Sequence, residues 1–366
     1  MGGSSDIPAT MRAVVSYGPE DYRLEELPTP RAGPGEVVIK VEACGVCASD
    51  IKCYTGAAMF WGGEQPWVRP PVVAGHEFIG RVVELGAGAA EKSGLKVGDR
   101  TISEQIVPCW ECRFCRSGRY WMCERHYLYG FQRELNGGMA EYMRFPAGAL
   151  NYRVPDELSL EASVVLEPLA CSIHAVQRAE IQLGDVVVVA GCGPLGLGMI
   201  AAARLRGPGA LVALDLKANR LELARQMGAD VTLNPAETDV VAAVKAMTGG
   251  YGCDTYVEAT GHPTAVVQGL QMIRKLGTFV EFGVFGQPTT VDWSIIGDRK
   301  ELNIHGSHLG PYCYPLAIDY QARGLIAGGR LVTHKYPLEQ FAEAFETMHA
   351  GHDPAGRDAI KVILTP

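Results

Sequence analysis

Nowhere in the 366 residues does an apolar run approach the ~18 needed to cross a bilayer, so a helical membrane anchor is not expected. The opening stretch, "MGGSSDIPAT", lacks the basic and apolar regions of a secretion signal and reads as a short flexible tail. Positive charge is also scarce. Lys and Arg number 33 against 41 Asp and Glu, a formal net charge of -8 with no block of like charges. That balance speaks against a nucleic-acid or anionic-membrane surface, and the cytoplasm is the expected location. There is no internal repeat and no low-complexity segment. Eleven cysteines, an odd number without a secretion signal, point to reduced thiols and metal ligands rather than a disulfide framework.

What is present is glycine, 44 residues of it, and a change of texture partway along the chain. Up to about residue 158, "MRAVVSY", "EVVIKVEACGV" and "FIGRVVELG" are β-branched runs bounded by Gly and Pro, as in short antiparallel or barrel-like strands. From 159 the spacing of "SLEASVVLEPLACSIHAVQRA" is helical, with Ser159 as N-cap. Strand and helix patterns then alternate through "DVVVVAGCGPLGLGMIAAARLRG", "ALVALDL", "KANRLELARQMGA", "CDTYVEATG" and "GTFVEFGVFG". Such alternation predicts a parallel sheet covered on both faces. The C-terminal stretch reads as a helix followed by a strand.

Gly191, Gly193 and Gly196 form G-x-G-x-x-G directly after a predicted strand, and Asp215 follows Gly196 by 19 positions at the end of the next strand. Glycines let backbone approach a pyrophosphate, the helix N-terminus favours its charge, and the carboxylate accepts ribose hydroxyls. Acid at that position favours NAD over NADP, although Arg220 is close enough in sequence to receive a 2′-phosphate. Pro194, Leu195 and Val284 complete the expected cofactor set.

Cys109, Cys112, Cys115 and Cys123 are spaced C-x2-C-x2-C-x7-C. Tetrahedral zinc takes four thiolates at about 2.3 Å, and loops this short can wrap one ion. The last spacing and the lack of a proline after Cys123 disfavour an iron–sulfur cluster. Four thiolates leave no open position, so the ion would be structural. A second set, Cys47 in "ACGVCASD", His76 and Glu77 in "AGHEFIG" and Glu167 in "LEPLA", mixes S, N and O donors. Beside a nucleotide domain, that mixture suggests catalytic zinc with one position left for substrate.

In order and spacing, "GVCASD", "GHEFIG", the cysteine lobe, "EPLACSIHA", "GCGPLGL" and "EATG" resemble the zinc-dependent medium-chain dehydrogenases, in particular their polyol branch, over nearly the whole chain. The resemblance implies a GroES-like β-rich catalytic domain (10–158 and 309–366) and a doubly wound Rossmann domain (159–308). It further implies one catalytic and one structural zinc, NAD, and a homodimer or homotetramer. Cys47, His76, Glu77 and Glu167 match its metal ligands, with no choice between the two glutamates as the direct one. Ser49 matches its proton-passing hydroxyl and Asp50 the carboxylate that orients His76. Lys52 departs from the histidine that many relatives carry nearby, so the end of the proton path stays open. Tyr54, Phe60, Trp61 and Phe131 are candidates for the substrate wall, with core packing as the alternative. His308 is a candidate near the nicotinamide, in a segment, "GSHLGPYCY", that lacks the arginine expected of sorbitol dehydrogenases. The expected reaction is oxidation of a short polyol, a tetritol or pentitol. The alternatives are an L-threonine-type or simple alcohol dehydrogenase, a catalytically silent nucleotide-binding relative, and a zinc-ribbon nucleic-acid module using Arg113, Arg116 and Arg119.

Overall fold

A computed structural model describes residues 7–366; most of the expected N-terminal tail lies outside the described residues. The chain divides into two compact units. The first runs to Glu167 and is completed by Ile318–Arg323 and Gly328–Pro366; the second comprises Pro168–Ala317 and Gly324–Ala327.

The first β-branched run, in Thr10–Gly18, lies in a three-stranded sheet between Asp21–Pro28 and Val72–Val73, and the other two join a seven-stranded sheet, in the order Asn151–Arg153, Arg100–Ser103, Glu77–Leu85, Val37–Val46, Lys361–Thr365, Val332–Pro337. Tyr142–Phe145 pairs with the Val37–Val46 strand as well. Val37, Ile39 and Val41 send alternate side chains into a core shared with Phe78, Tyr129, Phe145 and Leu364. The C-terminal strand thus lies beside one that begins more than 300 positions earlier, with Val362 opposite Val46 and Leu364 opposite Cys44.

In the second unit all six strands are parallel, in the order Val231–Leu233, Ala210–Leu214, Val186–Ala190, Cys253–Glu258, Ile273–Glu281, Asn303–Gly306. Numbered by position in the chain this is 3-2-1-4-5-6, the doubly wound order whose switch point falls beside the first strand. Valines 187 to 189 are fully buried, as a strand covered on both faces requires.

The helical spacing from Ser159 onward is realised as two helices. Ser159 Oγ accepts from Ala162 N at 3.2 Å and caps Leu160–Val164; the chain then pauses at Val165 and restarts as Leu166–Arg178. Pro168 sits in the first turn of the second helix, where its missing N–H costs nothing. The short helix packs on the Val37–Val46 and Glu77–Leu85 strands. The division between units therefore falls after Glu167, where the sequence pattern suggests 158.

Candidate active site

Cys47 ends the Val37–Val46 strand and stands at the N-cap of the Ala48–Tyr54 helix. Asp50, 3% exposed, reaches back so that its Oδ2 accepts from Cys47 N at 2.8 Å. Its other oxygen lies 3.3 Å from His76 Nδ1. One carboxylate therefore caps the helix and faces the imidazole at ion-pair distance, although His76 Nδ1 makes no hydrogen bond, and the remaining ring nitrogen, Nε2, lies 3.3 Å from Ser49 Oγ. Burial works against a charged His76 ring, but Asp50 and Cys47 outweigh it and hold the pKa well above its ordinary value. A divalent cation would compete for the same negative surroundings. Ligand atoms of Cys47, His76 and Glu77 lie within 4.8 Å of one another, and this soft-plus-hard donor set fits zinc. Glu167, also 3% exposed, opens the Leu166–Arg178 helix and is not part of that group.

Glu77 has a partner that sequence reasoning missed. Lys361 Nζ donates to its Oε2 at 2.6 Å and its Oε1 at 2.8 Å, with Val46 O as a third acceptor at 3.3 Å. Both side chains are at most 2% exposed. Burial alone would lower the lysine's pKa, but the charges of Glu77, Cys47 and Glu167 raise it above the usual value. The signal in the sequence is the lone charge that opens the apolar strand "KVILT".

All eleven cysteines are free. The four sulfurs of Cys109, Cys112, Cys115 and Cys123 lie within 4.8 Å of one another. Backbone N–H groups of Glu111 and Cys112 donate to Cys109 Sγ, and that of Cys109 donates to Cys123 Sγ. Such bonds favour thiolates: backbone donors lower the Cys112 pKa to about 6 and also lower that of Cys109, whereas burial pushes Cys115 up to about 12. The lobe fits a closed, structural ion. It is tied to the sheet through Glu104, whose Oε1 accepts from Tyr120 at 2.9 Å and Tyr152 at 2.7 Å. Arg113, Arg116 and Arg119 are all exposed, and Arg113 lies over the ring of Phe114.

The nucleotide unit offers a cradle. Gly191 adopts φ +96°, a conformation glycine tolerates, and a Cβ at Gly196 would overlap the Gly191 carbonyl. A Cβ at Gly193 would meet nothing within 4 Å, so that N-cap is open to an approaching group. Pro194 begins the 11-residue helix behind it, and Leu195 is half-buried in its first turn. Asp215 accepts from Cys192 N at 2.7 Å and Lys217 N at 2.9 Å, which fixes the carboxylate at the strand end. Arg220 lies on the following helix with its Nε buried and unpartnered. Val284 is 48% exposed, and its carbonyl is what a Cβ at Gly261 would strike. The arrangement fits a dinucleotide.

The aromatic candidates separate. Phe131 stacks on Phe60 with centroids 5.5 Å apart, meets Trp67 at 5.0 Å and the ring of His76 at 5.2 Å. Tyr54 instead packs edge-on against Tyr22 and Phe345, a core contact. Trp61 is anchored through Nε1 to Cys53 O at 2.7 Å. His308 is half-buried just beyond the Asn303–Gly306 strand. Lys52 is half-buried too; burial lowers its pKa, partly offset by the Cys47 charge.

Two family models match the sequence: an alcohol dehydrogenase GroES-like domain over residues 33–156 and a zinc-binding dehydrogenase domain over 194–322. An erythritol/L-threitol dehydrogenase of Mycolicibacterium smegmatis is 52% identical, with 99% of each chain covered. A sorbitol dehydrogenase of Bacillus subtilis is 33% identical over 93% of this chain and 94% of its own. Among solved structures, the 2R,3R-butanediol dehydrogenase of Bacillus subtilis superposes with a TM-score of 0.85 at 31% identity, covering 97% of this chain and 99% of its own.

Proposed function

The chain belongs to the zinc-binding dehydrogenases with a GroES-like alcohol dehydrogenase domain, and from that premise we propose that it oxidises a secondary hydroxyl of a short polyol, a tetritol such as erythritol or threitol, to the ketose with NAD. The observation that carries this is the convergent Cys47–His76–Glu77 group, its histidine and glutamate buried, held in one chain with the Gly191–Asp215 cradle. The tetritol reading is supported by the 52% identical relative.

Zinc, when bound, supplies a Lewis acid that lowers the pKa of the substrate hydroxyl, and NAD supplies the hydride acceptor. The rest falls to the chain. Cys47, His76 and Glu77, whose ligand atoms converge, would hold the metal directly, and Glu167 would stay outside that set. Asp50, with Oδ1 3.3 Å from His76 Nδ1, would hold the ring in one orientation. Ser49 takes up the substrate proton, and Lys52, three positions along the same helix, is the next acceptor, its lowered pKa suiting it to that part. Asp215 accepts the adenosine ribose hydroxyls and repels a 2′-phosphate, while Gly193 leaves room for the pyrophosphate. Cys109, Cys112, Cys115 and Cys123 would hold a second zinc, which would shape the lobe. Assembly as a homo-oligomer through the edge strand Asn303–Gly306 is consistent with its exposed residues and with Trp293, 75% exposed, nearby in the chain. Free thiols agree with a cytoplasmic setting.

The test is NADH formation by the purified protein across tetritols, pentitols, hexitols, L-threonine and simple alcohols. It is run as isolated, after chelation and after zinc return. Turnover strongest with a tetritol, lost on chelation and restored by zinc, is expected. Turnover confined to L-threonine or to simple alcohols overturns the polyol reading.

A further inference from the structure

Three neighbouring strands carry an arrangement that the proposed metal site alone does not require. Glu77 opens the Glu77–Leu85 strand and lies opposite Gly45 on the Val37–Val46 strand, whose far edge pairs with the strand opened by Lys361. To reach Lys361, the Glu77 carboxylate must cross over Gly45. A Cβ at Gly45 would overlap Glu77 Oε2, so glycine here opens a lane for a side chain; its backbone conformation is ordinary. The lysine fills the far end of the lane, bonding both carboxylate oxygens, while a ligand atom of the same carboxylate stays within 4.8 Å of those of Cys47 and His76.

A buried ammonium is costly unless paired, and a site that needs only a carboxylate ligand has no need of one. The charges explain it. Cys47 as thiolate and Glu77 balance a divalent ion, and the buried Glu167 balances Lys361. Asp50 is compensated locally by the Cys47 N–H and His76. A carboxylate shared with an ammonium gives less charge to a metal than a free one does, so the lysine both fixes the ligand and weakens its donation.

We infer that Lys361 is a positioning residue for the metal: it holds Glu77 across Gly45 and draws negative charge off the ion, keeping the site a stronger Lewis acid. This rests on the zinc reading above. It is tested on the purified full chain by the release of the more labile zinc to a chelator and by the pH profile of kcat/KM. The variants are Lys361→Met, Lys361→Arg, Glu77→Gln and the Lys361→Met/Glu77→Gln double. In Lys361→Met the charge drawn off Glu77 returns to the ion, so the acidic limb of the profile moves to higher pH, and the zinc release rate departs from wild type by about tenfold or more. Lys361→Arg keeps both near wild type. In the Glu77→Gln background, removing Lys361 changes neither, and that neutral pair also preserves the fold where Lys361→Met alone leaves a buried carboxylate uncompensated. Zinc release and pH profile in Lys361→Met equal to wild type, or a full Lys361→Met effect persisting without Glu77, overturns the inference while leaving the zinc reading intact. A wild-type chain that holds only the lobe zinc overturns both.

Discussion

Replacing Asp50 with alanine tests the core of the site most directly. Its carboxylate, itself 3% exposed, accepts from the half-buried Cys47 N at 2.8 Å and lies 3.3 Å from the buried His76 Nδ1. Loss of the acceptor at the helix start costs about 0.5–2 kcal/mol, and leaving a buried donor unpaired costs about 1–3 kcal/mol. Because the two effects share one carboxylate they overlap, and a loss of roughly 2–3 kcal/mol of stability is expected. The metal effect is separate. With nothing fixing its tautomer, His76 becomes a poorer ligand, and zinc affinity and kcat/KM each fall about 10–100-fold. Asp50→Asn separates the two: its amide oxygen can still accept from Cys47 N, so most of the stability returns. Its uncharged head cannot support His76 as the carboxylate does, so the metal defect stays. Zinc content after a chelator challenge and denaturant unfolding of all three proteins give the answer. If Asp50→Ala held zinc as tightly as wild type, the assignment of His76 as a ligand oriented by Asp50 would be wrong.

Glu104 is buried, and desolvation, only partly offset by Tyr152 and Tyr120, raises its pKa from 4.5 to about 7. The folded state thus binds the extra proton between those values, and stability falls as pH rises through that window, by roughly 3 kcal/mol in all. Glu104→Gln, which still accepts from both tyrosines, should flatten the slope between pH 5 and 8 in denaturant midpoints; an unchanged slope refutes the assignment. Cys112→Ser opens the four-thiolate lobe, and the chain should then hold one zinc fewer and be cut by protease between residues 109 and 123, while wild type resists. Asp215→Ser removes the carboxylate that repels a 2′-phosphate. With Arg220 retained, the ratio of kcat/KM for NAD over NADP should fall by about tenfold or more; an unchanged ratio places the ribose elsewhere.

Much of the site was legible because its signals are local. The cysteine lobe lies within 15 residues, and the Gly191–Asp215 unit is one strand, one turn, one helix and one further strand. Both can be read from spacing, since the physics that builds them acts over neighbouring positions. The pairing of Asp50 with His76 required the resemblance, because nothing in either segment shows which faces the other. Lys361 and Gly45 escaped altogether. The lysine meets Glu77 across 284 positions, and the glycine's part depends on three strands whose order no sequence pattern declares. Tyr54 illustrates the converse: it sits between the metal motifs in sequence, yet its ring faces Phe345 in the core. The break at Val165 was hidden for a similar reason, as helical periodicity runs on through it.

The two metal groups differ in the same way, and the difference has a physical consequence. In the lobe, backbone N–H groups from the same fifteen residues donate to the sulfurs of Cys109 and Cys123. Its sulfurs can gather around an ion at the cost of closing loops of only a few residues. The Cys47 group draws on segments near 47 and 76, and its balancing charge comes from 361 at the far end of the chain. Closing those loops is paid for only by the sheet itself, whose Val37–Val46 strand must already be flanked by Glu77–Leu85 and Lys361–Thr365. A metal in the lobe would therefore help to make local structure, whereas one at the Cys47 group would be received by structure already made. That is why a closed set of four identical donors suffices in one place, and the other needs a mixed set, a capping aspartate and a lysine to hold its charges in order.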